Sequence, residues 1–155
     1  MLVLVRHAHA GDKHAWPGPD LARPLSATGR REAAGLLAQL AAYPIRAIVS
    51  SPALRCQQTV QPLADQRGLP VGTDELLAVD ADVEEVLARL PPVEAHEVVW
   101  CSHGELIGLL LARLRDRGAP ISRHAVWPKG SAWLLEPADG AIRRATYRPP
   151  LRAAR

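Results

Sequence analysis

The opening segment Met1-Leu2-Val3-Leu4-Val5-Arg6-His7 constrains this chain more than any other stretch. Leu2 to Val5 is an unbroken apolar run that reads as a short strand buried on both faces. Such a strand belongs inside a sheet covered by helices on either side. The run then stops at a cation and an imidazole. In open α/β sheets, ligands bind at the carboxyl ends of the strands. A buried arginine is expensive without a partner, so Arg6 at that edge calls for an anion, and His7 beside it is placed to attack one. The same pair also fits a solvated loop start and a hydrogen-bonded turn histidine. This stretch alone does not separate the two readings.

The rest of the chain alternates strand-like and helix-like segments. Residues 8–24 form a long loop rich in Gly, Pro, Asp and His, with Lys13, His14, Trp16 and Arg23, and its length points to a role. Ser26 is a candidate N-cap for a helix over 27–42, with Ala33, Leu36, Leu37 and Leu40 at helical spacing. Residues 45–50 read as the second strand. Ser51-Pro52 then reads as an N-cap with proline at the first helical position, opening a helix that Gly68 stops. A weak third strand covers 69–73. Asp82 caps a short helix carrying Val83, Val86, Leu87 and Leu90, and Pro91-Pro92 breaks the chain. Residues 97–101 form the next strand, followed at once by Ser102-His103-Gly104 and a buried helix over 105–117. Two further strands, 131–136 and 141–147, are joined by a hairpin at Ala138-Asp139-Gly140. This order predicts an α/β fold, a three-layer sandwich with a mainly parallel sheet and helices on both faces. One domain is expected over 1–147, with a frayed basic tail over 148–155.

Composition narrows the function classes. The chain has 155 residues, enough for one domain with a sizeable core, and 48% of them are apolar. The net charge of +3 is modest, and no basic stripe with interleaved aromatics marks a nucleic-acid partner. Cys56 and Cys101 form neither a metal-type pair nor a disulfide framework, so a reducing cytoplasm is the expected compartment. The apolar runs are too short for a signal segment or a membrane span.

Three strand-to-helix junctions carry similar chemistry: Arg6-His7, then Ser51-Pro52-Ala53-Leu54-Arg55, then Ser102-His103-Gly104. Parallel strands place their carboxyl ends on one edge of the sheet, so these segments can meet in one pocket. Arg55 lies in the first turn of its helix, where a cation opposes the helix dipole unless an anion is held there. Two arginines and two histidines suit a phosphoryl group, whose oxygens need several fixed donors.

These motifs resemble the histidine phosphatase superfamily, which includes the phosphoglycerate mutases. Leu4-Val5-Arg6-His7-Ala8 is similar to its signature, and Ser50-Ser51-Pro52-Ala53-Leu54-Arg55-Cys56-Gln57-Gln58-Thr59 to its second motif. Ser102-His103-Gly104 is similar to its second histidine motif, and Arg23-Pro24-Leu25-Ser26-Ala27-Thr28-Gly29 also has a counterpart. The likeness is strongest to the small SixA-type phosphohistidine phosphatases. Lys129-Gly130-Ser131-Ala132-Trp133 also resembles the phosphatase domain fused to some actinobacterial Nudix hydrolases. The resemblance implies a phosphoglycerate mutase-like fold and a metal-independent phosphatase without cofactor. His7 would be the nucleophile, and Arg6, Arg55 and His103 would clamp the phosphoryl oxygens, with Arg23 and Lys13 as further substrate contacts. A zinc site made from His7, His9, His14 and His103 fits less well, because Cys, Asp and Glu are not arranged around them at ligand spacing.

The resemblance also implies an acidic proton donor after the third strand. In the run Thr73-Asp74-Glu75-Leu76-Leu77-Ala78-Val79-Asp80-Ala81-Asp82, Asp80 is the first choice and Glu75 the second, and either also fits a solvated surface charge. No long insertion covers the site, so an open pocket is expected, suited to a phosphorylated protein or to a range of small phosphate esters. The alternative is a non-catalytic module that binds phosphorylated groups through the same residues.

Overall fold

The computed structural model describes residues 1–90 and 97–151. Its first strand, β1 (Leu2–Arg6), has Leu2, Val3, Leu4 and Val5 all buried. Strand side chains alternate between faces, so each face of β1 receives two of them. Val3 and Val5 pack with Leu36, Leu40, Cys56, Val60 and Leu63 on one side. Leu2 and Leu4 pack with Leu106, Ile107, Leu110 and Leu111 on the other. Each buried aliphatic side chain contributes about 1.5–3 kcal/mol. A double-sided core of this kind requires helices above and below the sheet.

Those helices are α1 (Ala27–Leu40) and α2 (Leu54–Arg67) on one face, with α3 (Val83–Ala88) and α4 (Gly104–Asp116) on the other. Between them run β2 (Ala47–Ser50), β3 (Val71–Thr73), β4 (Val98–Ser102), β5 (Ala132–Ala138) and β6 (Ala141–Arg148). The strand order is β3-β2-β4-β1-β5-β6. The first four are parallel, and β5 and β6 are antiparallel additions beside β1. The three-layer architecture with a mainly parallel sheet is therefore as expected. So are the Ser26 cap, which accepts from the Gly29 amide, and the Asp82 cap, which accepts from the amides of Glu84 and Glu85.

Two local expectations are corrected. Helix α2 starts at Leu54 with Ala53 at its N-cap, so Ser51 is not the cap. The Ser51 amide instead continues the pairing with β4 by donating to the Cys101 carbonyl, which turns its hydroxyl into the site. Fraying from Arg148 is also not seen over 148–151: Arg148 pairs with Ala132, and its guanidinium donates to the Tyr43 hydroxyl. Pro149 accepts a hydrogen bond from Gln39, and a Cβ on Gly35 would run into the Leu151 carbonyl, so this segment lies along α1. The break read at Pro91-Pro92 and the end of the tail lie outside the described residues.

Sheet register brings the chemistry together. Arg6 stands opposite Ser102, and Ser50 opposite Cys101. The carboxyl ends of β1, β2 and β4 thus share one edge, with β4 seated between the other two.

Candidate active site

His7 follows β1 directly and is 6% exposed. Its Nδ1 lies 2.8 Å from the Ala8 carbonyl oxygen. A carbonyl only accepts, so Nδ1 carries the proton and Nε2 of the neutral ring is left with its lone pair. Burial, opposed by the Ala8 hydrogen bond and aided by the charges of Arg55, His103 and Arg6, pushes the His7 pKa down to about 3. At neutral pH the ring is therefore uncharged.

His103 forms the N-cap of α4 and is 3% exposed. Its ring meets that of His7 edge-on, with centroids 5.3 Å apart. Its Nδ1 lies 3.4 Å from Arg55 Nη2, which can only donate. The proton is therefore on Nε2, which donates to Ser51 Oγ at 2.9 Å and lies 3.6 Å from Cys56 Sγ.

Arg55, in the first turn of α2, is 4% exposed. Its Nη1 donates to the Asp20 carbonyl at 2.8 Å and its Nη2 to Asp20 Oδ2 at 2.9 Å. Arg6 donates through Nη1 to the Trp127 carbonyl at 3.0 Å. The Nε atoms of both arginines are buried and without a hydrogen-bond partner. Orphaned buried donors are rare; Arg6 adjoins His7 in the chain and Arg55 faces His103, where a bound oxyanion would give these donors a partner. Gly104 is what admits Arg6: a Cβ there would stand 2.6 Å from the Arg6 Cζ. Beside Arg6 an open cleft of about 430 Å³ is bounded by Gly104, Glu105, Gly108, Leu109 and Trp127.

The structure thus brings Arg6, His7, Arg55 and His103 together. It places the other candidates differently. Arg23 is 7% exposed and turned inward, donating to Asp20 Oδ1 and to the Ala10 carbonyl. Lys13 is exposed on the loop. Asp80 and Glu75 are both exposed, and among the described residues neither is hydrogen-bonded to His7, Arg55 or His103. Asp74 and Asp82 of the same acidic run are helix caps. The expected openness holds only in part, because a short 3-10 turn, Asp20–Ala22, brings Asp20 over Arg55. Asp20, Ser51 and Cys56 join the site beyond the residues expected from the sequence. Asp20 had a signal in its spacing of three from Arg23, and Ser51 in its junction position. No group of three or more His, Cys, Asp or Glu side chains among the described residues is arranged to hold a metal ion.

Residues 2–78 match the profile of the histidine phosphatase superfamily, branch 1. The chain belongs to that superfamily. Within it, the chain is 31% identical over 154 residues to an 8-oxo-(d)GTP phosphatase of Mycolicibacterium smegmatis. That alignment takes in 96% of this chain but 48% of the relative, so the chain spans about half the length of the curated relative it matches. Among solved structures, the protein histidine phosphatase SixA complexed with tungstate superposes with a TM-score of 0.74 at 23% identity, covering 97% of this chain and 96% of that one. SixA from Agrobacterium tumefaciens follows at 0.72 and 22%, covering 94% and 96%. These structures share the superfamily's fold. No helix among the described residues is long and apolar enough to cross a membrane.

Proposed function

We propose that this chain is a phosphatase that hydrolyses phosphate monoesters or phosphohistidine through a phosphohistidine intermediate on His7. The observation that carries the proposal is the tautomer of His7: its Nδ1 proton is held by the Ala8 carbonyl, and burial keeps the ring neutral, so Nε2 carries a free lone pair beside two arginines. His7 Nε2 attacks phosphorus, and the bond from phosphorus to the leaving atom breaks. Arg6 and Arg55 hold the non-bridging oxygens as charge builds on them, with His103 seated against Arg55. Water then attacks the phosphohistidine, releasing phosphate and restoring His7. The positive charge comes from the arginines, so the reading invokes no metal.

The names of the relatives support a phosphorylated substrate, either a protein or a small ester such as a nucleotide. Arg6 also lines the neighbouring cleft, with Leu109 and Trp127 on its wall. The test is hydrolysis of a chromogenic aryl phosphate. Activity should persist in excess EDTA and stop with vanadate, which mimics the phosphoryl centre. Activity lost to EDTA and restored by a divalent metal would overturn the reading, and tight vanadate binding without turnover would favour a phosphoryl-binding module.

A further inference from the structure

Loop 8–24 is long, and the reaction as described gives it no task. Its 3-10 turn nevertheless reaches the deepest cation of the site. Asp20 grips Arg55 twice, through its carbonyl oxygen on Nη1 and through Oδ2 on Nη2. Its other carboxylate oxygen accepts from Arg23 Nε at 3.0 Å, and Arg23 Nη1 donates to the Ala10 carbonyl at 2.8 Å. Ala10 stands three residues beyond His7, on a stem fixed by Thr59 Oγ1 at the Ala8 amide and by Glu32 Oε2 at the His9 amide. A continuous chain of hydrogen bonds therefore joins the backbone after the nucleophile to the guanidinium of Arg55.

The geometry of the grip matters. A guanidinium has five N–H donors in a planar fork. Asp20 takes one from each terminal nitrogen, at the end of the fork. On the side edge the second Nη2–H faces His103 Nδ1, and only Nε–H is left over. Nε has no partner in the protein, and Nη2 is 3.4 Å from His103 Nδ1. We propose that Asp20 is a positioning residue: by holding the end of the Arg55 fork it presents the free Nε–H, beside His103, to the phosphoryl group. The proposal rests on the phosphatase reading. A long arginine side chain held only by its stem would sample several rotamers, and fixing it beforehand removes that cost from the transition state. Arg23 acts through Asp20, which explains why it is buried away from solvent yet close to the site.

The competing reading is a latch, in which the Asp20 carboxylate occupies the place of phosphate on Arg55 and must leave before substrate binds. The two predict opposite signs. Asp20→Ala and Asp20→Asn are compared with wild type in the full chain, alone and combined with Arg55→Ala. Steady-state hydrolysis of an aryl phosphate and calorimetric tungstate binding are the readouts. Positioning predicts that Asp20→Ala lowers kcat more than it raises KM, by on the order of ten- to a hundredfold. It also predicts weaker tungstate binding and no further loss once Arg55 is absent. Faster turnover or tighter tungstate binding in Asp20→Ala overturns the proposal in favour of the latch. A loss that adds in full to that of Arg55→Ala overturns it in favour of a purely structural role. Asp20→Asn, which keeps the side-chain volume and one acceptor, covers the case in which Asp20→Ala does not fold, and should show a smaller loss of the same coupled kind. A wild type that binds tungstate without turnover refutes the phosphatase reading alone, since the coupling is still read in tungstate affinity. A wild type that binds no tungstate removes both.

Discussion

Replacing His7 by Asn should change how stability depends on pH, and the structure sets both the sign and the size. Asn can keep a donor near the Ala8 carbonyl but does not titrate. In the folded chain His7 takes up its proton only near pH 3, against the ordinary value of 6.5. Between those values the unfolded chain holds a proton on His7 that the folded chain does not. Stability contributed by this group therefore rises with pH through that window. It is fully present above about pH 6.5 and lost as pH falls toward 3. At about 1.4 kcal/mol per pKa unit, the shift to about 3 corresponds to roughly 4–5 kcal/mol over the whole window. Urea unfolding of both proteins at a series of pH values gives the difference directly, because the other titrating groups are common to both. The stability of wild type relative to His7→Asn should climb steadily from the acid end and level off near neutrality. Parallel profiles for the two proteins would refute the buried neutral imidazole on which the nucleophile assignment depends.

Other perturbations test the clamp. Arg55→Lys keeps the charge but loses the rigid fork, so kcat/KM should fall on the order of a hundredfold, about 3 kcal/mol of transition-state stabilisation; near wild-type kinetics would place Arg55 outside the clamp. Gly104→Ala puts a methyl group 2.6 Å from the Arg6 Cζ, so Arg6 must swing away. Activity and vanadate affinity should then drop together while the melting temperature moves little. Asp80→Asn and Glu75→Gln, both at exposed positions, should leave aryl and alkyl phosphate hydrolysis alike unchanged. A loss confined to alkyl phosphates, whose leaving groups need a proton, would identify the altered residue as the general acid.

How far the sequence could be read follows from where the information lies. Leu2–Val5 is local and one-dimensional, so the buried strand and its reactive edge are legible from residue type alone. The convergence of Arg6, His7, Arg55 and His103 is legible because parallel strands must end on a common edge. The seating of β4 between β1 and β2 is not legible, since no local pattern records which strands become neighbours. The Ser51-Pro52 pair is a good helix start in isolation, and only pairing with the Cys101 carbonyl frees the Ser51 hydroxyl for His103. Arg55 was read as needing an anion, and the partner it has in the structure is Asp20, thirty-five residues away in sequence. The hydrogen bond from Arg23 and the charge of Arg55 outweigh the burial that opposes them and hold the Asp20 carboxyl below its ordinary range. Segment 148–151 looked like a tail because its attachment is a tertiary one, to Tyr43 and Gln39.

The central claim is that His7 becomes covalently phosphorylated during turnover. Rapid acid-free quenching of the enzyme with a ³²P-labelled substrate, followed by peptide mapping, tests it most directly. The account predicts a label on His7 that survives base and is lost in acid, absent from His7→Ala. A label on serine, aspartate or His103, or undiminished turnover by His7→Ala, would contradict it.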